Sequence, residues 1–189
     1  MTSKLSLLAV PAMLAATPAF AHTGVHVSSI SAGVLHPLTG FDHALAMVAV
    51  GLSAALLGGR ALWAVPGSFV AMMLIGEALG FSGIAIPAVE IGIAASVLVL
   101  GSIVALGRAW PLGAAVTLVG GFAVFHGYAH AVEIPAGAGA LWYSLGFALA
   151  SVALHLAGIA AGLVTLGPWK PARMAGAAVA IAGLVLALG

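Results

Sequence analysis

Charge is what this chain lacks most. Its 189 residues include five Lys or Arg and four Asp or Glu, and 63% of the sequence is hydrophobic. Soluble domains carry about 25% charged residues, and no water-facing surface can be assembled from so few. The composition therefore excludes a soluble protein and specifies an integral membrane protein. Cysteine is absent, which removes disulfides and thiolate metal ligands from the chemistry available. Basic clusters are absent as well, so nothing provides for nucleic acid. The expected surroundings are a lipid bilayer.

What is present is a succession of long apolar runs. The first differs from the rest: Lys4 precedes a short apolar core, Leu5 to Leu14, and "TPAFA" ends it with small residues at Ala19 and Ala21. This is the pattern of a cleaved signal peptide over residues 1–21, with the mature chain starting near His22. Pro11 and Pro18 interrupt the run and argue against a first membrane helix. Crossing a bilayer takes about 20 apolar residues as helix. Segments of that length follow at 38–58, 61–80, 86–106, 110–131, 139–166 and 171–188, separated by Gly- and Pro-rich breaks such as "GGR", "GRAWP" and "GPWKPAR". Helix is required because hydrocarbon cannot satisfy an open strand edge. The expected fold is all-α: a polytopic bundle of six transmembrane helices after the signal peptide, with residues 22–189 forming one domain.

The few charges are sorted. Arg60, Arg108, Lys170 and Arg173 follow the first, third and fifth spans, and the positive-inside rule places them in the cytoplasm. A cleaved signal puts the mature N-terminus on the opposite, periplasmic side of an inner membrane, which agrees. Asp42, Glu77, Glu90 and Glu133 then all fall in the outer third, together with His36, His43, His126 and His130, while His22 and His26 lie on the exported stretch. His155 sits deeper, about 22 Å below the outer edge at 1.5 Å per helical residue. Small residues recur at four-residue spacing, as in Gly76/Gly80, Gly92/Ser96 and Gly158/Gly162, a pattern that lets membrane helices approach closely. Spans one to three and four to six have opposite orientations, as in inverted-repeat transporters.

Two motifs carry chemistry. In "FHGYAHAVE", His126, His130 and Glu133 fall on one helical face. In "HPLTGFDH", His36, Asp42 and His43 offer the same ligand set around a Pro- and Gly-containing turn. Pro37 disfavours helix at His36, so this histidine is expected on a bent or re-entrant segment. Imidazole suits nickel, copper, zinc and iron, and carboxylate adds charge neutralisation. Each group has a plainer reading. Asp42 can cap a helix, the i,i+4 histidines can hydrogen-bond across helices, and Glu77 and Glu90 can pair with hydroxyls or sit at the headgroups. Against these readings, intramembrane ionisable residues are costly and mark ion pathways. Two matched His/His/carboxylate sets at one depth favour a divalent metal, with Glu77, Glu90, His155, His22 and His26 as further candidates along its path.

The two motifs, His36-x5-Asp42-His43 and Phe125-His126-Gly127-x-Ala129-His130-x-x-Glu133, resemble the signatures of the HupE/UreJ family. Those proteins are membrane permeases for nickel or cobalt associated with hydrogenase and urease maturation. The resemblance extends over the signal peptide, six spans, short loops and one motif in each of spans one and four. Ala131 stands where the family often has Gly, a small-for-small exchange. The resemblance implies that the motif residues bind and pass the ion, with Ni2+ or Co2+ as cargo and no permanently bound cofactor. The expected function is a secondary permease or facilitator importing Ni2+, not an enzyme; a homo-oligomer is compatible with the sequence. A membrane-embedded metalloenzyme would need a general base beside its ligands, as in H-E-x-x-H, but Gly127 follows His126. A metal-binding accessory protein is a third reading, and the near absence of a soluble domain weighs against it.

Overall fold

Residues 29–165 and 171–189 are described by a computed structural model, and among them are seven helices and no strand. The expected signal peptide, His22, His26 and Lys170 lie outside the described residues. In chain order the helices are α1 (Ser29–Thr39), α2 (Phe41–Leu57), α3 (Ala61–Phe81), α4 (Val89–Leu106), α5 (Leu112–Glu133), α6 (Ala140–Thr165) and α7 (Pro171–Leu188). Five of these, α3 to α7, are each long and apolar enough to cross a membrane, and α1 with α2 forms a sixth crossing if the bent pair is one span. The bounds of α3 to α7 fall within three residues of those expected from the apolar runs, whereas the first span begins at Ser29, nine residues before the expected start at 38, because α1 precedes the bend. The chain is thus a multi-pass all-α membrane protein.

The first span is the exception to straight helix. α1 and α2 meet at 78°, and the break is at Gly40 (φ −76°, ψ 104°), not at the proline. His36 is helical and Pro37 sits inside α1, contrary to the expectation that Pro37 would keep His36 out of a helix. The pre-proline preference is outweighed here by packing. Gly33 brings α1 against the Tyr143 carbonyl of α6, and Gly146 brings α6 against the Ile30 carbonyl of α1. The Thr39 hydroxyl donates back to the Leu35 carbonyl at 3.0 Å, a Thr i−4 back-bond of the kind that accompanies helix bends.

Three helix pairs make most of the bundle: α3 with α5, α4 with α7, and α2 with α6. Each is closed by reciprocal glycines. Gly76 faces the Val124 backbone while Gly127 faces Met73, Gly101 and Gly176 serve α4 and α7, and Gly51 and Gly158 serve α2 and α6. Contact of this kind stands in for hydrophobic association, which hydrocarbon does not drive. Exchanging the first three spans for the last three converts the α3–α5 pair into α6–α2 and leaves α4–α7 unchanged. That is the pairing expected of two related halves. The two histidine motifs, however, occupy the start of α2 and the end of α5, so they are not equivalents under this exchange. They build one site from two unrelated ends.

Candidate metal centre

The bend at Gly40 and the last two turns of α5 bring the motifs together. His43 is the third residue of α2 and points into the bundle, 4% exposed, while His126 and His130 project from one face of α5 and are fully buried. His36 reaches the same place from α1. One nitrogen from each of His36, His43 and His130 lies within 4.8 Å of the other two. His126 stands next to His43, with ring centroids 4.8 Å apart.

Hydrogen bonds decide which nitrogens are free. Asp42 Oδ1 lies 2.9 Å from His43 Nδ1 and also accepts the His43 backbone N–H at 2.8 Å. A proton on Nδ1 leaves Nε2 as a bare lone pair, and Nε2 is buried with no partner. A carboxylate holding one imidazole nitrogen so that the other faces a metal is a recurrent arrangement. Ser96 does the corresponding work for His126. Its hydroxyl donates to the Ile93 carbonyl at 2.6 Å and lies 2.8 Å from His126 Nε2. The hydroxyl proton is thereby used, so Nε2 carries the ring proton and Nδ1 is bare and unpartnered. Neither ring nitrogen of His130 has a partner. An unmade hydrogen bond at a buried polar atom costs about 1–3 kcal/mol, and this site holds several side by side. Groups left in that state on two facing helices are arranged for something that enters from outside.

The carboxylates separate into distinct environments. Glu133 Oε2 is 3.1 Å from His36 Nε2. A cavity of about 290 Å3 above the histidines is lined by His36, Thr39, Asp42, His43, Glu90 and Glu133, among others. Glu90, expected only as a further candidate, therefore shares the mouth of the site. Asp42 is not the N-cap residue, which is Gly40 with no side-chain cap bond, but its Oδ1 still satisfies one first-turn donor, the His43 N–H, while also holding the His43 ring. Glu77 is not brought to this cavity. It is buried and accepts the Ser144 hydroxyl at 2.6 Å. His155 lies deeper, its ring centroid 5.0 Å from that of Phe69.

A match to the family model described as "HupE / UreJ protein" covers residues 10–186. The chain belongs to the HupE/UreJ family. It is 45% identical, over its whole length and 97% of the relative, to "Protein HupE" of Rhizobium leguminosarum bv. viciae. No solved structure gives a significant match. The family resemblance read from the two motifs is thus established over nearly the entire chain.

Several residues of the candidate site were not legible beforehand. Tyr143 and Phe147 of α6 wall the histidines, with ring centroids 6.0 and 6.2 Å from His36. Phe69 of α3 closes the site from below, 5.5 Å from His126. Ser96 was seen only as a small packing residue. One signal was available for α6. Tyr143, Phe147, Ser151 and His155 recur every four residues, which places them on a single face, and all four are buried.

Proposed function

We propose that this protein is a secondary permease or facilitator that admits Ni2+, or Co2+, across the inner membrane from the periplasm to supply a metalloenzyme such as hydrogenase or urease. The observation that carries the reading is the convergence of His36, His43 and His130 within 4.8 Å beneath a cavity bordered by Asp42, Glu90 and Glu133. The carboxylates raise the local concentration of a divalent cation, and their charge offsets that of the ion as it sheds water. The bare nitrogens of His43 and His130 and the His36 ring then replace part of the hydration shell. Neutral imidazoles fit first-row cations of intermediate softness. They hold such an ion without the deep trap that thiolates would make, as passage requires.

Asp42 is assigned to holding His43 rather than to direct ligation, and Glu133 to the same task at His36. The cytoplasmic placement of Arg60, Arg108 and Arg173 and the periplasmic placement of the cavity belong to this reading and rest on the positive-inside rule. Uptake of Ni2+ into proteoliposomes containing only this protein tests it. Uptake above that of protein-free vesicles, abolished by His43→Ala at equal reconstitution, is the expected result. Binding of Ni2+ without uptake would leave an accessory metal-binding protein instead.

A further inference from the structure

His155 is the one histidine among the described residues that stands apart from the cluster. It lies on α6, 1% exposed, and neither of its ring nitrogens has a hydrogen-bond partner. A buried imidazole between membrane helices normally repays its desolvation by bonding across a helix interface. This one does not.

Its surroundings continue those of the outer site. Ring centroids step from His36 to His130 (4.6 Å), from His130 to His43 (4.8 Å) and from His43 to His126 (4.8 Å). The Phe69 ring follows at 5.5 Å, and His155 lies 5.0 Å beyond it. Phe69 is therefore a single apolar ring between two imidazoles, both carrying unpartnered nitrogens. One turn before His155 on α6, the Ser151 hydroxyl lies 3.8 Å from the Met73 sulfur, and both residues are buried. Soft and neutral donors thus flank this part of the path, with no carboxylate described among them. Away from Phe69, His155 borders a groove of about 530 Å3 between α3 and α6, whose lining begins at Leu62, at the Arg60 end of α3. His155 is the one ionisable residue in that lining.

We propose that His155 is an inner coordination station for the divalent cation, separated from the outer histidine cluster by the Phe69 ring. This rests on the permease reading and adds a second stop to it. An ion leaving His126 loses imidazole ligands in an apolar stretch, and His155 offers the next lone pair. Lacking a carboxylate, the inner station holds the ion less tightly than the outer one, which favours release toward the Arg60 end.

The test uses the full chain in proteoliposomes and nanodiscs with Ni2+ as the probe. His155→Phe keeps an aromatic ring of similar volume and removes the ligand, and His155→Leu serves if the first variant is not monodisperse. The expected result is Ni2+ affinity at the outer cluster within about twofold of the unsubstituted protein, with initial uptake lowered tenfold or more. His155→Cys, which restores a metal ligand, should recover part of that loss. Uptake by His155→Phe and His155→Leu at the unsubstituted rate overturns the proposal, because a packing role alone would permit it. Loss of outer affinity in parallel with uptake also overturns it, since His155 would then act on the first site. If the unsubstituted protein takes up no Ni2+, the permease reading fails and binding decides the inner station separately. A His36→Ala/His43→Ala/His130→Ala variant that still binds Ni2+, and stops doing so when His155→Phe is added, supports the station. Equal binding by the two overturns it.

Discussion

At the scale of single residues, the site is governed by which imidazole nitrogen carries the proton. Asp42 Oδ1 is 2.9 Å from His43 Nδ1, so the carboxylate both orients the ring and makes Nε2 a better donor to a cation. Asp42→Asn keeps the side chain's size and one acceptor oxygen but removes the charge. Loss of such a supporting group lowers metal affinity by about 10–100-fold, and we expect Ni2+ binding by calorimetry to weaken within that range. Affinity equal to that of the unsubstituted protein would refute the role of the Asp42 charge. Ser96→Ala makes a different prediction. It leaves His126 without its 2.8 Å partner, so Nε2 becomes another unsatisfied buried donor. Thermal unfolding in detergent should show a loss of about 1–3 kcal/mol. The effect on Ni2+ affinity should be smaller than that of His130→Ala, because His130 belongs to the closest trio.

At the scale of elements, glycines set how closely the helices that carry the candidate ligands approach. A Cβ at Gly127 would run into the Met73 carbonyl, and one at Gly76 into that of Val124. The α3–α5 distance is thus fixed by two missing methyl groups, and Gly127 lies between His126 and the turn bearing His130. Gly127→Ala should push α5 away from α3 and shift both histidines together. We expect loss of Ni2+ binding and a lowered melting temperature, whereas Gly121→Ala, where a Cβ meets nothing within 4 Å, should be silent in both measurements. Equal behaviour of the two variants would show that close packing of α5 does not position the site. The bend at Gly40 bears on the other motif. A Cβ there would lie 3.3 Å from the His36 carbonyl and 3.4 Å from Asp42 Oδ1 and His43 Nδ1, so an added methyl would just fit against the pair that orients His43.

At the scale of the whole molecule, the proposed outward facing of the site rests on the sorting of charge. Arg173 also shows that these cations serve local structure: its Nε donates to the Ala105 carbonyl at 2.8 Å, next to the C-terminal end of α4, where a positive charge is favourable. The absence of cysteine makes topology directly measurable by placing one at a time. Gly59→Cys should react with an impermeant maleimide only after the membrane is opened from the cytoplasmic side. Ala136→Cys should react in intact spheroplasts. The reverse pattern would turn the cavity toward the cytoplasm and change the proposed import into export.

Much of this was legible in the chain itself. Hydrocarbon admits few backbone conformations, so apolar length and Gly/Pro punctuation were sufficient to locate α3 to α7, but not α1, which precedes the expected first span. The cost of ionisable groups in a bilayer was sufficient to mark His36, His43, His126, His130 and Glu133 as candidates. Those constraints act locally or through the solvent, and a sequence records them. Which groups meet depends instead on helix pairing and rotation. That decided that Glu90 borders the cavity while Glu77 turns to Ser144, and that Asp42 holds the His43 ring as well as a backbone N–H of the helix start. It also decided that the first span breaks at Gly40 rather than at Pro37, because glycine contacts with α6 outweigh the preference of one dihedral. Tyr143 and Phe147 left a trace in the chain, their four-residue spacing with Ser151 and His155, but that spacing names a helix face and not the partner it meets. Phe69 left none: only the tertiary structure set its ring against His126 and His155, since nothing in an apolar run states which aromatic ring will face a partner helix and which will face lipid.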